Sequence, residues 1–354
     1  VVDCAQERVA RFDPRTGLTR LDTQRIGQAS MTQRAGRAGR LAPGICLHLL
    51  PKEQAERAAA QSDAEILHSD LAGLLLDLQL WGCADPAELK WLDGPPATNL
   101  AAAQRLLTRL AALENGRLTA SGKKMAAIGC DPRLAAMLVQ AQDADARATA
   151  ARLAALLEEP PRGANCDLGA VFSRAQNNWQ QRANQLLKRL GSRAGTVDAS
   201  LLPSLLACGF ADRIARRRGA EGRYQLANGM GAKLDSDDPL NRHEWLIAPL
   251  LLQGNASPDA RILLALPLDI DALTAACPQL ITQSDVVEWN DVQGTLKALR
   301  RSQIGQLTLK VQPLAKPSET ELHQAMLNGI REKGLAALNW TPEADQLRLR
   351  LHCA

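Results

Sequence analysis

The spacing of apolar positions changes several times along this chain, and each change marks a different kind of element. Residues 1 to 50 read as strands and turns. Val1-Val2-Asp3 looks like a buried strand. Arg8-Val9-Ala10-Arg11-Phe12 and Leu18-Thr19-Arg20-Leu21 lie on either side of Pro14-Arg15-Thr16-Gly17, which predicts a hairpin. An arginine-rich segment follows. Pro43-Gly44 then breaks the chain before Ile45-Cys46-Leu47-His48-Leu49-Leu50, an apolar run suited to a buried strand. A strand–helix–strand succession of this kind suits the end of a parallel α/β domain.

From residue 51 the period becomes helical. Ile66, Leu71, Leu74, Leu75, Leu78 and Leu80 predict a helix with a broad apolar face. After Pro95-Pro96, Thr98 or Asn99 can cap a second helix through Leu100, Leu106, Leu107, Leu110 and Leu113. Asn115-Gly116-Arg117-Leu118-Thr119 supplies a turn and a short strand. Helix, helix and a small β-wing together describe a winged-helix module. Asp131 to about Arg193 reads as all-helical: Asp131-Pro132 opens one helix, Ala150–Leu157 forms another, and Asn177–Leu190 a third. A helix over Leu201–Phe210 leads into strand-like text at 223–226, 245–248, 261–266 and 285–289. The pair Thr295–Arg300 and Gln306–Val311 alternates around Ser302-Gln303-Ile304-Gly305, a hairpin signal.

Composition narrows the functional classes. The chain has 354 residues, enough for two or three domains. Aromatics at 3% are scarce, so Ala and Leu fill the core and favour helices. A net charge of +4 confines any polyanion site to a local patch. Eight cysteines are scattered, no two closer than 36 positions, which excludes paired zinc spacings and reads as buried thiols in a reducing cytoplasm. No run of 18 apolar residues and no signal peptide occurs, so membrane insertion is not expected. Asp269, Asp271, Asp285 and Asp291 sit in plain strand-and-turn text and read as a solvated acidic surface, not a metal site.

The chemically distinctive segment is Gln33-Arg34-Ala35-Gly36-Arg37-Ala38-Gly39-Arg40. On a helix, with Gln33 taken as the origin, Arg37 falls at about 40° and Arg40 at about −20°. One amide and two guanidiniums therefore share a face, while Arg34 points elsewhere and serves structure. Ala35 and Ala38 form a small back face. Gly36 and Gly39 each cost about 1 kcal/mol relative to alanine in a helix, which predicts a close approach to the backbone. Two planar cations and an amide able to orient a water suit a phosphate chain.

This octet, with Ser30-Met31-Thr32 before it and Leu41-Ala42-Pro43-Gly44-Ile45-Cys46 after it, resembles motif VI of DEAH-box RNA helicases of superfamily 2. The stretches DLAGLLLDLQLWG, WLDGPPATNLAAAQRLLTRLAALENGRLTASGKKMA and DPRLAAMLVQA resemble the region that follows motif VI in that family. ADRIARRRG, GRYQLANGMGA and HEWLIAPLLLQG resemble its bacterial HrpB-type subgroup. The resemblance implies ATP with Mg²⁺ as cofactor, RNA as partner, and Gln33, Gly36, Arg37, Gly39 and Arg40 at the nucleotide. Gln33 would position the attacking water, and Arg37 and Arg40 would reach the γ-phosphate.

It also implies a multidomain chain, mainly α with α/β and β parts. Residues 1–54 would end a second RecA-like domain, 55–128 form a winged helix, and 129–197 a helical ratchet bundle. Residues 198–275 would form an OB-like domain and 276–354 an incomplete HrpB-type C-terminal region. Within these, Trp179 can stack on a base, the alternative and commoner reading being an interface or core tryptophan. Arg213, Arg216, Arg217 and Arg218, the densest basic cluster, can face RNA phosphates from the OB-like fold. The alternative for that cluster is a solubilising run beside Asp212 and Glu221.

No phosphate-binding loop and no Asp-Glu-x-His tetrad occur. With Val1 in place of a starting methionine, this reads as a helicase fragment lacking the N-terminal RecA-like domain and unable to hydrolyse ATP alone. The competing function is a non-catalytic nucleic-acid-binding or adaptor module derived from a helicase.

Overall fold

Pro14–Gly17 forms the tip of a hairpin in the computed structural model, which describes every residue except 162, 164, 165, 175, 176, 194, 220, 221, 255, 256, 291–294, 315, 316, 335–340, 353 and 354. Strand β1 (Val2–Asp3) precedes β2 (Gln6–Asp13) and β3 (Leu18–Arg25), which pair antiparallel from Gln6↔Arg25 to Asp13↔Leu18. Gly17 turns the tip at φ +67°, a left-handed conformation that favours glycine. Helix α1 (Gln28–Gly36) runs on into a single 3₁₀ turn over Arg37–Gly39. The chain returns as β4 (Leu47–His48), parallel to β1 with Val2 opposite Leu47 and Asp3 opposite His48.

The apolar side chains of this pair are not buried, contrary to the reading of both runs. Val1, Val2, Ile45, Leu47 and Leu49 are all more than half exposed, the least at 51%. A parallel pair hides both faces only when other elements cover them. Here the small core lies behind the pair, where Ala5, Ile26 and Met31 pack with Leu50, Ala55 and Ala58; the last two lie in and just after α2 (Lys52–Glu56).

Two helices, α3 (Ala72–Leu80) and α4 (Ala97–Arg109), precede a hairpin of β5 (Leu113–Glu114) and β6 (Arg117–Leu118), then α5 (Ala120–Ile128). Asn115 and Gly116 both take positive φ, the two-residue turn whose twist matches the flanking strands. Neither Thr98 nor Asn99 caps α4, because Pro96 already fixes an extended entry and the helix starts at Ala97. Asn99 is buried instead, and its Nδ2 donates to the Ser69 carbonyl at 3.1 Å. Leu113 has left the helix for β5.

An all-helical stretch follows: α6 (Pro132–Gln140), α7 (Ala144–Glu158), α8 (Leu168–Phe172), α9 (Asn177–Leu190) and α10 (Leu202–Phe210). Asp131 and Asp143 cap α6 and α7 by accepting from Arg133 and Ala146 backbone N–H groups. Six alanines of α7 (146, 148, 150, 151, 154, 155) are buried, and these small side chains let neighbouring helices approach closely on several sides. Gly209 of α10 meets α6 so closely that a Cβ there would sit 2.5 Å from the Arg133 carbonyl oxygen.

Strands β7 (Ile214–Arg217), β8 (Arg223–Leu226), β9 (Gly231–Lys233), β10 (Trp245–Leu252) and β11 (Ala260–Pro267) close into a barrel. Its order is β7-β8-β9-β11-β10, with β10 pairing back onto β7 and β9 running parallel to β11. Ala215, Tyr224, Leu226, Leu246 and Ile262 fill the interior, and Leu18 of the β2–β3 hairpin joins that core. Helix α11 (Ile270–Ala276) completes this compact unit, Val1–Cys277.

The second unit, Pro278–Ala354, holds an antiparallel sheet of β12 (Thr282–Asn290), β13 (Thr295–Ile304) and β14 (Leu307–Pro313), with α12 (Glu319–Lys333) and α13 (Pro342–His352). Its turn falls at Gly305-Gln306, so Ser302, Gln303 and Ile304 belong to β13 rather than to the loop. Among the described residues no helix is long and apolar enough to cross a membrane.

Candidate functional site

The arginine–glycine segment is not one continuous α-helix. It changes from α to 3₁₀ at Arg37, where residues three apart eclipse. Tightening to about 120° per residue aligns Arg37 with Arg40 and leaves both roughly 60° from Gln33. The common face therefore survives the change of helix type. Gln33, Arg37 and Arg40 are exposed, whereas Arg34, Ala35 and Ala38 are half-buried. None of the three exposed side chains makes a hydrogen bond or ion pair among the described residues.

Arg34 points the other way. Its Nη1 donates to Asp3 Oδ1 and to the Gln6 carbonyl, both at 3.1 Å. Asp3 is buried, at 4% exposure, and also accepts from the Ala5 backbone N–H at 3.0 Å. Burial alone would raise its carboxyl; the Ala5 hydrogen bond, Arg34 and His48 together hold it below the usual range. Arg34 thus pins α1 to β1, while Gln33, Arg37 and Arg40 remain exposed.

Gly36 and Gly39 have nothing beyond their own helix within 4 Å of where a Cβ would stand, among the described residues. The close approach is made by Gly44, where a Cβ would lie 2.0 Å from the Ala38 carbonyl oxygen. Pro43-Gly44 is therefore more than a break: it lets the chain fold back against the 3₁₀ turn.

The whole chain is 74% identical to the ATP-dependent RNA helicase HrpB of Escherichia coli strain K12 and covers 44% of that protein. The chain belongs to the HrpB family. It corresponds to the C-terminal part of HrpB and spans less than half of that relative's length. A crystal structure of the E. coli DExH-box NTPase HrpB matches all of the chain with a TM-score of 0.85 at 74% identity, covering 44% of that structure. A second, described as the E. coli DEAH/RHA helicase HrpB, matches all of it with TM-score 0.85 at 70% identity, covering 45% of that structure. The family model for the HrpB connector region matches residues 280–314. The ATP-dependent RNA helicase HrpA of E. coli strain K12 is 34% identical over 148 residues, 40% of this chain and 11% of that protein.

The basic cluster of this HrpB-type chain lies at the barrel, but its members differ. Arg213 turns inward, which removes it from the surface set: its Nη1 donates to the Pro249 carbonyl and its guanidinium lies 5.3 Å from the Phe210 ring. Burial and the neighbouring Arg133 charge pull it down to about 10. Arg216, Arg217 and Arg218 on and beside β7 are exposed. Each is tied on one side: Arg216 to Glu244 at 3.0 Å, Arg217 to the Asn241 carbonyl at 2.9 Å, and Arg218 to Asp259 at 2.9 Å. Arg216 also stacks 5.2 Å from the Trp245 ring.

Asp212 does not balance that run. It accepts two hydrogen bonds from Arg133, at 2.7 and 2.9 Å, and pairs with Arg109 at 3.2 Å. Sequence reading missed this junction of α4, α6 and the barrel entry, because its partners are 79 and 103 positions apart. Glu221, the other acid expected beside the cluster, lies outside the described residues.

Trp179 is only 2% exposed and donates from Nε1 to the Glu159 carbonyl at 3.1 Å, so it is a core side chain and not a stacking platform. The cysteines are less buried than their scatter suggests: Cys4 is exposed, Cys277 buried, and five others lie between; Cys353 lies outside the described residues. Asp269 caps α11 and Asp285 forms a two-bond pair with Arg300 at 2.7 and 2.8 Å, each occupied locally; Asp291 lies outside the described residues. Among the described residues no group of three or more His, Cys, Asp or Glu side chains gathers that could hold a metal ion.

Proposed function

We propose that this chain is the part of an ATP-dependent RNA helicase that presents Gln33, Arg37 and Arg40 to the phosphates of ATP and helps hold single-stranded RNA. The observation that carries the reading is the division of labour on α1 and its 3₁₀ turn. Arg34 is consumed by Asp3, while one amide and two guanidiniums stand exposed with no partner among the described residues.

That donor set fits a γ-phosphate: two fixed forks of N–H donors for its oxygens, and an amide able to hold a water in line. Bound ATP would supply the phosphoryl group, with Mg²⁺ held by residues of the N-terminal RecA-like domain. Arg37 and Arg40 neutralise charge that accumulates on the phosphoryl oxygens. They cost little reorganisation, because the helix already aims them. Gln33 orients the attacking water without taking its proton. Gly36 and Gly39, open on the same segment, let the phosphates or the facing domain come near the backbone.

The element order of the rest of the chain supports the domain reading. Residues 1–54 would complete a RecA-like domain, and the helices with their β5–β6 wing over 55–128 a winged helix. The bundle over 129–197 would be the ratchet, the closed barrel over 198–275 an OB-like domain, and 276–354 the HrpB-type C-terminal region. Phosphate contacts fall to Arg216, Arg217 and Arg218, whose guanidiniums are at the barrel surface; Arg213 drops out. Replacing Gln33 by alanine in the full-length protein tests the site. Turnover should fall while ATP affinity stays near wild type; unchanged turnover would overturn the assignment.

A further inference from the structure

The inner face of β1 and β4 carries a second constellation, one the nucleotide reading does not use. His48 of β4 lies opposite Asp3 of β1, and Cys46 immediately precedes that strand, two residues before His48. The Cys46 Sγ lies 3.8 Å from His48 Nε2, and His48 Nδ1 lies 3.3 Å from Asp3 Oδ2. Asp3 Oδ2 and His48 Nδ1 are both buried, and neither has a hydrogen-bond partner among the described residues, so their approach is an ion-pair distance and not a hydrogen bond. Arg34 closes the series on the other carboxylate oxygen at 3.1 Å.

The chemistry of this row has a direction. Asp3 is held ionised by Arg34 and the Ala5 N–H, so it can only accept. The His48 tautomer with its proton on Nδ1, the nitrogen nearer Asp3, leaves Nε2 as an acceptor facing the thiol. A thiol beside an imidazole base that is itself oriented by a carboxylate is the arrangement that activates a cysteine. Three other thiols are suppressed: burial pushes Cys130 up to about 12, and Cys166 and Cys208 up to about 11.

We propose that Cys46 is a covalent modification site, activated by His48 and Asp3, that exchanges with small disulfides such as glutathione disulfide. The thiol proton passes to His48 Nε2 and the Cys46 sulfur attacks one sulfur of the disulfide. A new S–S bond forms as the old one breaks, and the departing glutathione thiolate takes the proton from Nε2. The Cys46 sulfur is oxidised, and the glutathione that leaves is reduced. An adduct at Sγ crowds the His48 ring and, through Asp3, the anchor of Arg34. This assignment stands on the β1–β4 face alone and does not depend on what Arg37 and Arg40 touch.

The test is site-resolved labelling of the full-length protein with glutathione disulfide, read by peptide mass spectrometry, with Cys4 as the internal reference. Cys46, though less exposed than Cys4, should react faster. Replacing His48 by glutamine should slow Cys46 by about tenfold or more, as loss of an activating base does, and leave Cys4 unchanged. Asp3→Asn should slow Cys46 in the same sense. A Cys46 rate at or below that of Cys4, or one indifferent to His48→Gln, would overturn the proposal.

Discussion

Arg34 Nη1 and Asp3 Oδ1 meet at 3.1 Å, and this contact separates the structural arginine of the motif from the exposed ones. Removing it by Arg34→Ala leaves a buried carboxylate without its cation. The expected cost is about 1–3 kcal/mol of stability, read by denaturant unfolding. The pH sign follows from Asp3, whose folded carboxyl lies below its ordinary value of 3.8. The stability it adds is complete above that value and is lost as pH falls through the lower folded one. Arg34→Ala should flatten the acid limb of the stability curve; an unchanged limb would count against the contact.

The Arg133–Asp212 pair predicts a larger effect at the junction of helices and barrel. Burial works to raise the Asp212 carboxyl, but Arg133, Arg213 and Arg109 hold it well below the usual range. Asp212→Ala strands Arg133, itself only 7% exposed, and should cost roughly 3–5 kcal/mol. Thermal unfolding should show it. A loss under about 1 kcal/mol would mean that water reaches the pair, as it does for exposed bridges.

Trp179 gives a prediction that separates two measurements. Trp179→Ala should destabilise the chain by about 3–5 kcal/mol, as a large buried aromatic does. RNA affinity per folded molecule should be unchanged. A selective loss of RNA binding with stability intact would restore a stacking role.

Arg216, Arg217 and Arg218 are tested by salt. Each phosphate contact on a single strand contributes about 0.7 to the slope of log affinity against log salt. The triple alanine variant should therefore lower that slope by up to roughly 2. Because each guanidinium also holds a carboxylate or carbonyl, part of its charge is already compensated. An unchanged slope would assign the three arginines to tying the barrel together.

The hairpin tip at Pro14–Gly17, the turn at Asn115-Gly116 and the cap at Asp131 were legible because local backbone chemistry alone decides them. The shared face of Gln33, Arg37 and Arg40 was legible for a similar reason: either helical period keeps it together. Burial was less readable. Val2 and Leu47 look like core in sequence, but their exposure depends on what covers a parallel pair. Arg213 is indistinguishable from Arg216 in a basic run, and only the barrel closing at Pro249 turns it inward. Long-range pairs such as Arg133 with Asp212, and Asp3 with His48, leave no trace in periodicity because their members lie on different elements.

The central claim is that Arg37 and Arg40 meet the γ-phosphate, and it is tested most directly by RNA-stimulated ATP hydrolysis of Arg40→Ala in the full-length protein. Arginines in this role contribute about 10³ to 10⁵ in rate, so turnover should fall by about a thousandfold or more with the fold intact. Hydrolysis within about twofold of wild type would contradict the account, given that magnitude.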